Sequence, residues 1–260
     1  MDPADTIGSG PYIVSEWVPN DHYTLVRNDN YWGELPNATK VIMYIVPDAN
    51  TQNLMFQNGE LDMIDLDSLD ASVITDTYKT TYADSLVSGK RVGLTYFALN
   101  EDNEYLQDVN VRKAIQMAIN REKILEDLYH GEGIIENGII ATGVWGHNPD
   151  LQAIEYDPEG AKALLTEAGY AENEITFELA LDSSADTTTQ MVYQQIQQDL
   201  AAVGIKAEIK SYDESAWLEL RMSGEMESYV ATWTMDYNDP ANIMATFFGS
   251  ETNTANRSLN

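Results

Sequence analysis

The sequence predicts a mixed α/β fold, rich in strands over its first third and alternating strand with helix from about residue 94 onward. Apolar residues make up 43% of the 260-residue chain, enough for a packed core. No apolar run approaches the ~20 residues that a membrane-spanning helix needs. Early on, β-favouring runs are separated by Gly, Pro and Asn-Gly turns; later, Asp caps and Gly stops frame helical periodicities.

Taken in order, Gly8-Ser9-Gly10-Pro11 is a turn, and Tyr12-Ile13-Val14 and Tyr23-Thr24-Leu25-Val26 are the first two strands. Val41 to Val46 is a nearly unbroken apolar run, the pattern of a strand buried on both faces. Asp48 caps a helix that runs through Gln57 and closes at Asn58-Gly59, with a short strand at Leu61-Asp62-Met63-Ile64 beyond it. Residues 92–100 form another strand. Asp108 opens a helix whose Val111, Ala114, Ile115, Ala118 and Ile119 share one face, and the periodicity predicts that it continues through Leu128 to Gly131. Asp157-Pro158 sets a cap before a proline at the first helical position, starting a helix to Ala168 that stops at Gly169. Phe177 to Leu181 alternates as a strand, Met191, Ile196, Leu200 and Val203 mark a helix ended by Gly204, and Ile205, Ala207 and Ile209 alternate on the next strand. Asp213 caps a helix to Gly224, and Tyr229 to Thr234 is the last strand.

Charge and composition exclude several kinds of chemistry. With 14 Lys+Arg against 43 Asp+Glu, the formal net charge is -29, a surface that repels phosphate backbones and anionic membranes. Nucleic acid is therefore not an expected partner. The absence of cysteine removes disulfides, thiol nucleophiles and Cys-ligated metals together. His22, His130 and His147 lie far apart in sequence without metal-ligand spacing, so neither a metal nor another cofactor is expected. Ser9 lacks the spacing of a hydrolase elbow, and Ser88-Gly89-Lys90 lacks the upstream glycine of a phosphate loop; both read as turns. Asp62, Asp65, Asp67 and Asp70 resemble part of a calcium loop but miss its glycine and terminal Glu, which leaves a solvated edge. The expectation is a protein without catalytic activity. The acidic start Met1-Asp2-Pro3-Ala4-Asp5 has neither the basic end nor the apolar core of a signal peptide, so a targeting segment, if encoded, is expected to have been cut away.

Five stretches carry a resemblance. Gly8-Ser9-Gly10-Pro11-Tyr12-Ile13-Val14-x-x-Trp17 with Leu25-x-Arg27-Asn28-x-x-Tyr31-Trp32-Gly33 is the first. Asp108-Val109-x-Val111-Arg112-x-Ala114-Ile115 with Ala118-Ile119-Asn120-Arg121 is the second, and Tyr156-Asp157-Pro158-Glu159 through Glu167-Ala168-Gly169 the third. Leu200-x-x-Val203-Gly204-Ile205 and Trp233-x-x-Asp236-Tyr237-x-Asp239-Pro240 complete the set. In this order they resemble bacterial extracellular solute-binding proteins of family 5, the oligopeptide, dipeptide and nickel binders of ABC importers. The resemblance implies a periplasmic-binding-protein-like fold (type II, two-lobed) with the ligand enclosed between lobes. It assigns residues 1–93 to part of lobe I and 94–260 to a hinge strand and most of lobe II, so the chain is expected to be a truncated piece. It also implies a peptide ligand, ABC permease subunits as partners, and an extracytoplasmic location, either as a cell-surface lipoprotein or in the periplasm. Contact with the membrane would then come only through a lipid anchor or the permease. The alternatives are a nickel-chelate or oligosaccharide carrier of the same family, an acidic hydrolase, or a ligand-sensing receptor lobe.

A binder of varied peptides must grip main chain and termini, and a carboxylate in a dehydrated cleft is the natural partner of the α-amine. The family places an Asp of its Trp-x-x-Asp motif in that role, and Asp236 stands at the matching position. Read from its residues alone, Asp236 equally suits a cap for the turn before Asp239-Pro240. Trp233 either stacks on the ligand or packs in the core. Tyr237 follows Asp236 in the motif. Arg221 is similar in place to a basic residue facing the cleft in some members, or is a solvated helix arginine. One of Tyr96 and Phe97 on the hinge strand is expected to face the cleft. Trp145 lies in the loop Ile139 to His147, where Ala141-Thr142-Gly143 replaces a proline-containing segment of dipeptide-binding relatives.

Overall fold

A computed structural model describes residues 7–66, 69, 73–87, 89 and 92–248. The expectations stated for Met1 to Asp5, Asp67, Asp70, Ser88 and Lys90 lie outside the described residues. The chain divides into two compact units, residues 1–86 and 87–260.

In the first unit, β1 (Tyr12–Val18), β2 (His22–Arg27) and β3 (Lys40–Tyr44) form an antiparallel sheet in chain order. Its register shifts between Val14 and Glu16, where the Ser15 hydroxyl donates to the Thr24 carbonyl at 3.2 Å. The first signature is a hydrogen-bonded structure: the Asn28 N–H donates to the Pro11 carbonyl at 2.8 Å and its amide to Gly10 O at 3.2 Å. Asp48 caps α1 (Ala49–Gln57), accepting from the Thr51 N–H at 2.7 Å. Phe56, Tyr78 and Tyr82 then cluster, with Phe56 edge-on to Tyr82 and the other pairs tilted, and the Tyr78 hydroxyl donates to Asn53 at 2.6 Å. Two expectations fail here. The run from Val41 does form β3, but Ile42, Met43 and Tyr44 are 41, 42 and 49% exposed, because among the described residues of this unit no element covers the sheet's third strand. Leu61 to Ile64 is irregular and makes no ladder, since residues 62 and 65 around it are acidic and nothing pairs with it among the described residues.

The second unit holds the core. β4 (Gly93–Leu99) pairs antiparallel with β7 (Ser228–Thr234), and β5 (Thr176–Asp182) pairs parallel with β6 (Lys206–Tyr212). α5 (Thr187–Ala202) makes the crossover from β5 to β6, as a parallel pair requires. Its buried Tyr193 hydroxyl joins the two sheets, donating to Ala180 O at 2.8 Å and accepting from the Val230 N–H at 2.9 Å. Val111 and Ile115 of α2 (Val109–Ala118) and Ala161 and Leu165 of α4 (Pro158–Glu167) pack into the same core as Phe177, Leu179, Leu200 and Ile205. The helix from Asp108 does not run on to Gly131. It stops at Ile119, and Asn120 caps a new α3 (Arg121–Leu128), taking the Lys123 N–H while its own N–H donates to Asp199. Asp213 caps α6 (Glu214–Ser223), which Gly224 closes at φ 77°. A further helix, α7 (Ala241–Phe248), follows β7 and was not expected. Among the described residues no helix is long and apolar enough to cross a membrane, and no three His, Cys, Asp or Glu side chains come together as metal donors.

Candidate functional site

The candidate residues all fall in the second unit, along β7 and around the turn that follows it. Strand alternation puts Tyr229, Ala231 and Trp233 on one face and Val230 and Thr232 on the other. Opposite them on β4, Tyr96 pairs with Ala231 and Leu94 with Trp233. β4 must start with Gly93: a Cβ there would lie 2.8 Å from the Trp233 carbonyl oxygen.

After Thr234 the chain turns. The Met235 N–H still donates to Val92 O, and Asp239 then starts α7, its Oδ1 accepting from the Ala241 N–H at 2.8 Å and its carbonyl from the Asn242 N–H at 3.0 Å. Asp239, not Asp236, is thus the cap of this turn. Asp236 is exposed, and its Oδ2 accepts from Asn242 Nδ2 at 3.2 Å. The Asn242 Oδ1 accepts from the Trp233 indole N–H at 2.7 Å. Asn242 is 3% exposed and so holds both motif residues from beneath. Trp233 is half-buried, edge-on to Phe247 at 4.8 Å between centroids, so it is neither a deep core residue nor an untethered ring.

Phe247 also meets Tyr96 at 6.0 Å, and Tyr96 meets Tyr229 at 6.3 Å. Burial, with Tyr229 beside it, drives the Tyr96 hydroxyl well above its ordinary pKa. Phe97 takes the opposite face of β4 and packs against the main core. The Arg221 guanidinium lies over the rings of Trp217 and Tyr229, 5.6 and 5.2 Å from their centroids, with Nη2 3.5 Å from the Tyr96 hydroxyl. Its Nε is buried without a hydrogen-bond partner, and it takes no carboxylate among the described residues. Of the two alternatives for Arg221, the solvated helix arginine is corrected: two aromatic faces, which attract a cation, hold it half-buried.

Trp145 is 73% exposed, and its backbone N–H donates to Asn238 Oδ1 at 3.2 Å, which ties its loop to the turn carrying Asp236 and the 56% exposed Tyr237. The same loop lines a half-open pocket of about 230 Å³ beside Ile139, Ile140, Thr142 and His147. The His147 ring is fixed there by Ile140 O at 2.8 Å. The six candidates thus fall into two connected groups. Asp236, Trp233, Tyr96 and Arg221 are linked through Asn242 and Phe247, and Trp145 and Tyr237 flank the turn. The sequence did not single out Asn242 and Phe247; the signal available was an amide side chain in the mostly apolar stretch after Asp239-Pro240.

Comparisons with known proteins bear on this arrangement. The dipeptide-binding protein of Escherichia coli (strain K12) is 30% identical over 245 residues, covering 93% of this chain and 45% of that protein. The nickel-binding periplasmic protein of the same organism is 25% identical, over 90% of this chain and 47% of that protein. Among solved structures, the Helicobacter pylori periplasmic binding protein DppA in complex with peptide STSA superposes with a TM-score of 0.76 at 28% identity, over 92% of this chain and 46% of that one. Brucella suis NikA in complex with Fe(III)-EDTA gives 0.79 at 25% identity, over 95% and 52%. The chain spans about half the length of the curated relatives it matches. These structural relatives are two-lobed periplasmic binding proteins, and the mixed α/β fold described above is of their class. Since the sequence model of the bacterial extracellular solute-binding proteins, family 5, matches residues 2–255 on top of this shared architecture, the chain belongs to that family.

Proposed function

We propose that the chain is part of the solute-binding component of an ABC importer, that it captures peptides without chemical turnover, and that Asp236 anchors the ligand's free α-amine. In this reading residues 1–93 belong to lobe I and 94–260 comprise a hinge strand and most of lobe II. The protein works outside the cytoplasm and hands its ligand to a membrane permease. The observation that carries the reading is the state of Asp236. One carboxylate oxygen is held by Asn242, while the other takes no partner among the described residues on an exposed side chain. An ammonium group brought against that oxygen gains a charge-assisted hydrogen bond that strengthens as water leaves. Trp233, Tyr237 and Trp145 supply apolar surface for the residues next to the amine. Arg221, a cation with no carboxylate of its own among the described residues, is the candidate for an acidic group of the ligand.

The test is calorimetric titration of the complete gene product with di- to pentapeptides and their N-acetylated counterparts. Free peptides bind and acetylated ones bind much more weakly. Asp236→Asn lowers the affinity for free peptides about 10²–10³-fold, the cost of leaving one partner of a desolvated pair alone. Equal affinity for both forms defeats the anchor, and turnover of peptides or glycosides defeats the non-catalytic reading.

A further inference from the structure

We infer that Asn242 is a positioning residue that presents the Asp236 carboxylate to the ligand amine, and that Trp233 sets its orientation. The inference rests on the reading of Asp236 given above and adds a device to it. An indole N–H can only donate, so the group facing Trp233 Nε1 at 2.7 Å must be the amide oxygen of Asn242. With the oxygen committed there, the amide NH₂ points the other way, at Asp236 Oδ2 at 3.2 Å. The ring thus decides which end of the amide meets the carboxylate, and a flipped amide would set oxygen against oxygen. The Asp236 side chain is left with one oxygen engaged and the other turned out.

The backbone makes the arrangement stiff. The Asn242 N–H is bound to Asp239 O, its carbonyl accepts from the Thr246 hydroxyl at 2.6 Å, and the residue is 3% exposed in a helix that is apolar apart from these two residues. A buried polar group in such a helix is costly unless satisfied, and both ends of this amide are satisfied by the two residues of the Trp-x-x-Asp motif. Other titratable groups on the elements meeting this turn are Asp239, Tyr237, Tyr96 and His147. None of them hydrogen-bonds Asp236 among the described residues. Trp233 therefore has a role that does not require it to touch ligand.

The readout is the ratio of affinities for a free dipeptide, alanyl-alanine, and its N-acetylated form, measured on the complete gene product. Asn242→Leu, close in volume, lowers that ratio about 10-fold, the effect of losing one hydrogen bond to a charged group, while affinity for the acetylated form stays the same. If Asn242→Leu does not fold, Trp233→Phe decides. It keeps the ring packing, releases the amide to flip, and lowers the ratio in the same sense by a smaller factor. A purely structural role would weaken both peptides alike and leave the ratio unchanged, and that result overturns the inference. Asp236→Asn is measured in parallel. If it collapses the ratio while both other variants leave it intact, only the role of Asn242 fails; if it too leaves the ratio intact, the amine anchor fails and this inference with it.

Discussion

Tyr193 illustrates how one side chain can join two sheets. Its hydroxyl serves Ala180 on β5 and Val230 on β7, and burial pushes its pKa up to about 12. A raised value means that the folded state holds the neutral phenol more tightly than the unfolded chain does. The contribution is complete below the unfolded value near ~10 and is lost as pH rises towards the folded one. Stability is therefore expected to fall between about pH 10 and 12 as tyrosinate absorbance grows. Tyr193→Phe flattens part of that slope and costs about 1–3 kcal/mol at neutral pH, because it leaves the buried Val230 N–H unpaired. A denaturation series against pH checks both. The residues of the candidate site were legible unevenly. Asp236 and Trp233 stand in a recognisable motif, yet whether Asp236 caps the turn could not be read from it, since Asp239 three residues on has the same chemistry. Arg221 looked like any helix arginine, because the rings of Trp217 and Tyr229 meet it through packing that spacing does not reveal.

At the level of elements, local chemistry located most helices and strands because their ends are marked by residues with one strong role. Asp48, Asp157 and Asp213 each accept a backbone N–H at a helix start, and Gly224 closes a helix in the left-handed region. The misses share a cause. Asn120 interrupts a continuous apolar stripe, and the break is fixed by Asp199, 79 residues away on α5. α7 was hidden because Asp239-Pro240 reads as the end of a turn, although the same pair also starts a helix. The β4–β7 pair yields a direct prediction. Gly93→Ala sets a methyl group 2.8 Å from the Trp233 carbonyl, a backbone atom that cannot step aside without moving the strand. A loss of about 1–3 kcal/mol in urea denaturation is expected, with β7 and its Trp233 displaced. An unchanged midpoint would mean that the strands separate without cost.

For the whole molecule, the two units differ in what they bury. Among the described residues of the first, only Leu69 and Tyr78 are buried hydrophobics, against the large buried clusters of the second. In hydrogen exchange on the 260-residue chain, β1 to β3 are expected to exchange well before β4 to β7, and equal protection would contradict that difference. Membership of the family was legible because its motifs carry structure as much as function: Asn28 closes onto Gly10 and Pro11, and Asn120 and Asp157 cap helices. Ligand identity was not legible, since in the proposed reading the side chains that would select a ligand include Trp145 and Arg221, whose identities follow no motif. A crystal structure of the complete gene product with a free dipeptide tests the central claim most directly. The account predicts the α-ammonium group on Asp236 Oδ1, with Asn242 still bonded to Oδ2. An amine bound elsewhere, or Asp236 turned away from the ligand, would contradict it.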